Sequence, residues 1–103
     1  MPRKLSSAMR DAMMVIFLYE NIMFTRYTAR SRMWSVPKVK SIDIPNGRTI
    51  HSDIRIATVR ALARRGMIKS TWKQIKLTER GFYRVKQWPE YEGLIVLKTI
   101  HDL

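Results

Sequence analysis

The chain has 103 residues, the length of one domain with a modest core, and 46% of them are apolar, enough to build that core. Twenty Lys and Arg stand against eight Asp and Glu, a formal net charge of +12 that attracts polyanions. There is no cysteine, which excludes disulfides and thiolate metal sites.

The excess of positive charge is not spread evenly. Residues 49–88 hold ten bases and two acids, and residues 25–48 hold six bases and one acid. Residues 89–103 reverse the sign, with one base and three acids. A basic middle of this kind is what a binding face requires. The bland alternative is a general solubility charge.

Arg3 and Lys4 precede an apolar run from Ala12 to Tyr19, which gives the start the outline of a signal peptide. Asp11 and Glu20 bracket that run, and no small-residue cleavage pattern follows. The run is also far shorter than the ~20 residues needed to span a bilayer. We read it as a buried helix of a cytoplasmic protein, with no membrane partner. Ser6 or Ser7 can cap this helix, which is predicted to reach about Phe24. Met9, Ala12, Met13, Ile16, Tyr19, Ile22 and Met23 recur at helical spacing. Val15, Phe17, Leu18 and Phe24 widen the stripe, so the helix is expected at the centre of the core.

Tyr27, Met33 and Trp34 can anchor a short second helix that ends before Pro37. The following "VKSIDIPNGRTIH" fits either a small hairpin around Asn46-Gly47 or an irregular loop. A basic helix is predicted over about 53–65, with Ser52 or Asp53 as N-cap. Its inner face would carry Ile56, Val59, Leu62 and Ala63. Its outer side would carry Arg60 and Arg64 with Ala57 and Ala61. Gly66 ends it, in the left-handed conformation.

Met67-Ile68 and Ile75-Lys76-Leu77 read as two short strands joined by "KSTWKQ". Thr78 caps a helix through about Trp88, with Phe82, Val85 and Trp88 on one face. Pro89 closes that segment or starts the next. "EYEGLIVLKTIHDL" fits an amphipathic helix on Tyr91, Leu94, Leu97 and Ile100, or a strand over "LIVLKTI"; helix is preferred.

"TVRALARRGMI" (58–68) followed by "IKLTERG" (75–81) resembles a winged helix-turn-helix domain of the MarR and PadR type. In such regulators the recognition helix ends in a Leu, a charged stretch and Gly-Leu-Ile. The second wing strand then leads into a Leu-Thr-x-x-Gly helix start. Leu62, Gly66, Ile68, Leu77, Thr78 and Gly81 occupy those places. The resemblance implies an α+β winged helix, with three or more helices and a small antiparallel β-hairpin wing. It would be a single domain over 1–103, with its core at about 6–88. Residues 89–103 would extend it as a dimerisation element.

An α-helix fits the major groove, and its N-terminal half meets base edges. Thr49, His51, Ser52, Arg55 and Thr58 would lie there, with Arg48, Arg60 and Arg64 flanking at phosphates. The wing at about 69–74 offers Lys69, Thr71, Trp72, Lys73 and Gln74 to the backbone or minor groove. Trp72 at the tip either packs back on the domain or contacts sugar or base.

Other chemistries find little support. His51 and His101 are far apart in sequence, and His51-x-Asp53 is too sparse for a metal site. Gly47, Gly66, Gly81 and Gly93 form no phosphate loop, Asp43 and Asp53 make no convincing acid–base pair, and no serine sits in a nucleophile motif. The expectation is a binding protein without cofactor, not an enzyme. Double-stranded DNA is the expected partner, for a small, nucleoid-associated transcriptional regulator. Pairing of residues 8–24 or 90–101 with a second copy would make a homodimer on a two-fold site. One alternative is a basic protein of RNA or the ribosome, which the generous charge favours. Another is a module for an acidic protein partner, docking on exposed Met and aromatic side chains between 23 and 34.

Overall fold

The computed structural model describes residues 4–20, 25–26, 33–45, 47–71 and 74–100. These form an α+β fold of four helices and three small antiparallel sheets.

Helix α1 (Ser7–Tyr19) starts where Ser6 accepts a hydrogen bond from the Met9 amide at 3.2 Å. Ala12 through Leu18 are all buried, so no side of this stretch faces water. The expected central helix is therefore present. It ends at Tyr19 with Glu20 as C-cap. Residues 21–24, which the sequence places in its last turn, lie outside the described residues.

The next segment departs from the sequence reading. In place of a helix before Pro37, Met33–Ser35 forms strand β2, paired on one side with β1 (Thr25–Arg26) and on the other with β5 (Ile54–Arg55). Trp34 stands opposite Ile54, and both are buried. A strand with a neighbour on each side satisfies its amides across the sheet, which outweighs the weak helical spacing of Met33 and Trp34. Tyr27 lies outside the described residues. Of the two readings left open for the Asn46-Gly47 region, a hairpin is found. Strand β3 (Ser41–Asp43) pairs with β4 (Thr49–His51), and Ile42 meets Ile50 on the buried side.

Helix α2 spans Ile56–Arg64, and Arg55, not Ser52 or Asp53, is its N-cap. The reason lies in the β2–β5 pairing, which keeps Ile54 and Arg55 extended. Gly66 ends the helix with φ of +73°, as expected. The chain then forms β6 (Ile68–Ser70) and β7 (Ile75–Leu77), an antiparallel hairpin. Thr78 caps α3 (Glu79–Lys86), its hydroxyl accepting from the Gly81 amide at 3.1 Å. The C-terminal segment is helical: α4 covers Tyr91–Ile100.

The three later helices and β7 pack on α1. Phe17 is the hub of an aromatic cluster, with ring centroids 5.9 Å from Phe82 and 5.8 Å from Tyr91. Lys98 ties α4 to the end of α1. Its Nζ donates to the Phe17 carbonyl at 3.0 Å and lies 4.4 Å from the Phe17 ring centroid. A cation there complements the negative end of the α1 dipole. No helix among the described residues is long and apolar enough to cross a membrane.

Candidate functional site

The outward side of α2 is built from four residues. Ala57, Arg60, Ala63 and Arg64 are exposed, whereas Val59, Ala61 and Leu62 are buried. At 100° per residue, Arg60 lies near the middle of the exposed arc and the other three flank it. The sequence reading placed Ala61 outside and Ala63 inside, and the structure reverses them. Arg65 folds back over this turn, its Nη1 donating to the Ala61 carbonyl at 3.0 Å, and so covers Ala61. Two adjacent arginines flanked by two alanines make a positive surface with low relief, which a polyanion can approach closely.

The hairpin adjoins α2 through β6. Its register sets Lys69 opposite Lys76, both exposed, while Ile68 and Ile75 point inward. Two like charges directly across an antiparallel pair repel each other. Lys76 was not among the residues singled out from the sequence. Only the register, which sequence spacing does not reveal, shows that it doubles the charge of Lys69. At the tip, Thr71 and Gln74 close on each other: Thr71 N–H donates to the Gln74 carbonyl at 2.8 Å, and Gln74 N–H to Thr71 Oγ1 at 3.2 Å. Trp72 and Lys73 lie outside the described residues.

Several expected contact residues are committed elsewhere. Arg48 donates to Asp11 through Nη1 at 3.0 Å and also through Nη2. That carboxylate holds the guanidinium above its ordinary pKa, chiefly through the hydrogen bond and then through charge. Thr49 donates its hydroxyl to Asp43. Ser52 is fully buried, and its hydroxyl donates to the Val39 carbonyl, so it presents nothing at the surface. Gln74 Nε2 donates to the Glu20 carbonyl at 3.3 Å. Thr49, His51 and Ser52 belong to β4 and the turn after it, not to the N-terminal half of a helix. His51 is exposed there. The structure therefore gathers Arg60 and Arg64 on the helix, with Arg55 exposed at its cap, while Thr58 is half-buried on another side of the helix. Lys69 stands on the adjoining strand.

The ion pairs lie away from these cations. Three ion pairs form among the described residues: Arg10 with Glu90, Arg48 with Asp11, and Lys98 with Glu20. All three join α1 to α4, to the turn before α4 or to the β3–β4 loop. None reaches α2, the β6–β7 hairpin or α3. Among the described residues, the positive charge of α2, the hairpin and α3 is thus not neutralised by ion pairing.

Two further outcomes bear on partners. Trp34 is buried, so it is withdrawn from the apolar patch expected between 23 and 34. Helix α1 is enclosed by its own chain over Ala12–Leu18, and that stretch is not free to pair with a second copy, whereas α4 exposes Ile95, Val96 and Ile100. No protein-family model, no curated protein and no solved structure matches the chain.

Proposed function

We propose that the chain is a double-stranded DNA-binding protein of the winged-helix type, a small transcriptional regulator that sets α2 in the major groove and the β6–β7 hairpin on the backbone or in the minor groove. The observation that carries this reading is the exposed arc of α2. Arg60 and Arg64 stand on it between alanines, with no carboxylate partner among the described residues. Arg55 at the cap is the side chain nearest the end of the helix that usually meets base edges. The repelling Lys69–Lys76 pair supports the same reading, because phosphate between them would relieve it. A second copy would pair through Ile95, Val96 and Ile100 of α4, and the site would then be two-fold.

Salt titration of duplex binding is the test. About five or six phosphate contacts give a log–log slope near −5. Arg60→Ala should weaken all sequences alike and reduce the slope by about 1. Arg55→Ala should relax base preference at one position, while Arg48→Ala, whose charge Asp11 holds, should change affinity by less than about twofold. Much tighter binding of folded RNA than of duplex DNA at matched salt would replace this reading by the RNA one, which the charge of +12 on 103 residues favours. A stoichiometric protein partner that survives high salt would replace it by an interaction module.

A further inference from the structure

Beside the outward arc of α2, and sharing only Arg64 with it, lies a second concentration of positive charge. On α3, Arg80, Tyr83, Arg84 and Gln87 are spaced i, i+3, i+4, i+7 and so form one stripe. Gly81 and Val85, on the other side of the helix, are buried. The stripe faces the end of α2, and between them is a cavity of about 670 Å³. Arg64 and Arg65 line its other wall, and Leu5 and Met67 give it an apolar side. Arg80 reaches across to the α2 stop, its Nη1 only 3.7 Å from where a Cβ on Gly66 would stand.

Four guanidinium groups therefore share one cavity whose lining holds no carboxylate, and no ion pair among the described residues involves any of them. Like charges crowded in this way raise the energy of the empty protein and favour a bound anion. Guanidinium forks match phosphate oxygens two at a time, so four of them suit two or more phosphates held close together. The remaining lining suits something else. Tyr83 is 67% exposed at the rim, an aromatic ring left in water. With Met67 and Leu5 it offers a flat and apolar surface to a planar ring. The volume lies within the usual range for small-ligand sites, roughly 300–1,000 Å³.

We infer that this cavity binds a nucleoside di- or triphosphate, with Arg64, Arg65, Arg80 and Arg84 on the phosphates and Tyr83 on the base. The site does not depend on the DNA-binding proposal and can be tested without nucleic acid.

The probe is ATP in chelator-containing buffer at physiological salt, titrated calorimetrically into the whole chain, with tripolyphosphate and adenosine as the two halves of the ligand. Saturable binding of one ATP per chain is expected. Tripolyphosphate should bind more weakly than ATP, and adenosine more weakly still. Arg84→Gln and Arg80→Gln should each lower affinity by at least about tenfold. Lys40→Gln removes the same charge from an exposed position outside the cavity and should change it by less than about twofold. An arginine-selective reagent on the unaltered chain, read by mass spectrometry, gives a measure that needs no variant. ATP should protect Arg80 and Arg84 and leave Arg60 reactive. The proposal is overturned if ATP does not saturate, if tripolyphosphate binds as tightly as ATP, or if Lys40→Gln costs as much as Arg84→Gln. It is also overturned if duplex DNA, but not ATP, protects Arg80 and Arg84, which would make the cavity part of a track for the nucleic-acid backbone.

Discussion

The Thr78 hydroxyl donates to the Gly66 carbonyl oxygen, which joins the residue that stops α2 to the residue that caps α3. The Thr78 hydroxyl oxygen itself accepts from the Gly81 amide at 3.1 Å, and the Thr78 amide donates to the Met67 carbonyl at 3.0 Å. One side chain thus ties the stop of α2 to the start of α3. Thr78→Ala removes both side-chain bonds and should cost about 1–2 kcal/mol in urea unfolding. Thr78→Ser keeps them and should stay within about 0.5 kcal/mol. Equal losses in the two variants would show that the methyl group, not the hydroxyl, carries the effect.

Gly81 gives the joint a second signature. A Cβ placed there would lie 2.0 Å from the Met67 carbonyl oxygen, so α3 rests with bare backbone on the strand entry. At an open helix position Gly→Ala stabilises by roughly 1 kcal/mol. Here the same change must push α3 off Met67, and a net loss of about 2 kcal/mol or more is expected. The sign of the shift in Tm decides: a raised Tm for Gly81→Ala would mean that α3 does not seat on Met67.

The parts of the fold that could be read from the sequence are those whose signals are local. Ser6 and the apolar run after it mark α1. Gly66, the two short alternations and Thr78 mark α2, the hairpin and α3. Each signal spans fewer residues than one element and its caps. The region 25–55 is different. Its strands are two or three residues long, too short to show a period, and they exist through pairing with distant partners such as Trp34 with Ile54. For the same reason sequence signals set the start of α2 near 53, three residues before its first helical residue, Ile56. The capping chemistry of Ser52 is a local signal, but the Val39 carbonyl takes its hydroxyl. In the candidate site, helical spacing sufficed to put Arg60 and Arg64 outside. Arg48 could not be removed by such reasoning, because its partner Asp11 is 37 positions away. Lys76 and the Arg80–Arg84 stripe needed the hairpin register and the packing of α3 before their place became apparent.

Burial pushes the Tyr19 phenol above its ordinary pKa. In the unfolded chain a tyrosine ionises near pH ~10. Between that pH and the higher folded value, the unfolded state gives up a proton that the folded state keeps. The contribution of Tyr19 is therefore fully present below about pH 10 and is lost as pH rises through the folded value. Urea midpoints of the unaltered chain and of Tyr19→Phe, compared at pH 9 and pH 11, should show a steeper alkaline fall for the former. Parallel falls would mean that Tyr19 ionises as freely folded as unfolded.

The hairpin lysines set stability against binding. Lys69 and Lys76 stand across from each other on exposed positions, and such a like-charge pair costs about 0.2–1 kcal/mol. Lys76→Gln removes the repulsion and should stabilise the chain by a few tenths of a kcal/mol, up to about 1, at low salt. The gain should fade as salt rises, because the screening length falls from about 10 Å at 0.1 M to about 3 Å at 1 M. Duplex affinity should move the other way, with the salt slope reduced by about 1. Denaturant titrations at two ionic strengths, beside binding isotherms for the same variant, measure both effects. A variant that is more stable and binds less well is the outcome expected if the paired lysines grip phosphate. If Lys76→Gln lost stability and bound duplex unchanged, the lysine would be serving the fold, and the hairpin would have no part in the contact.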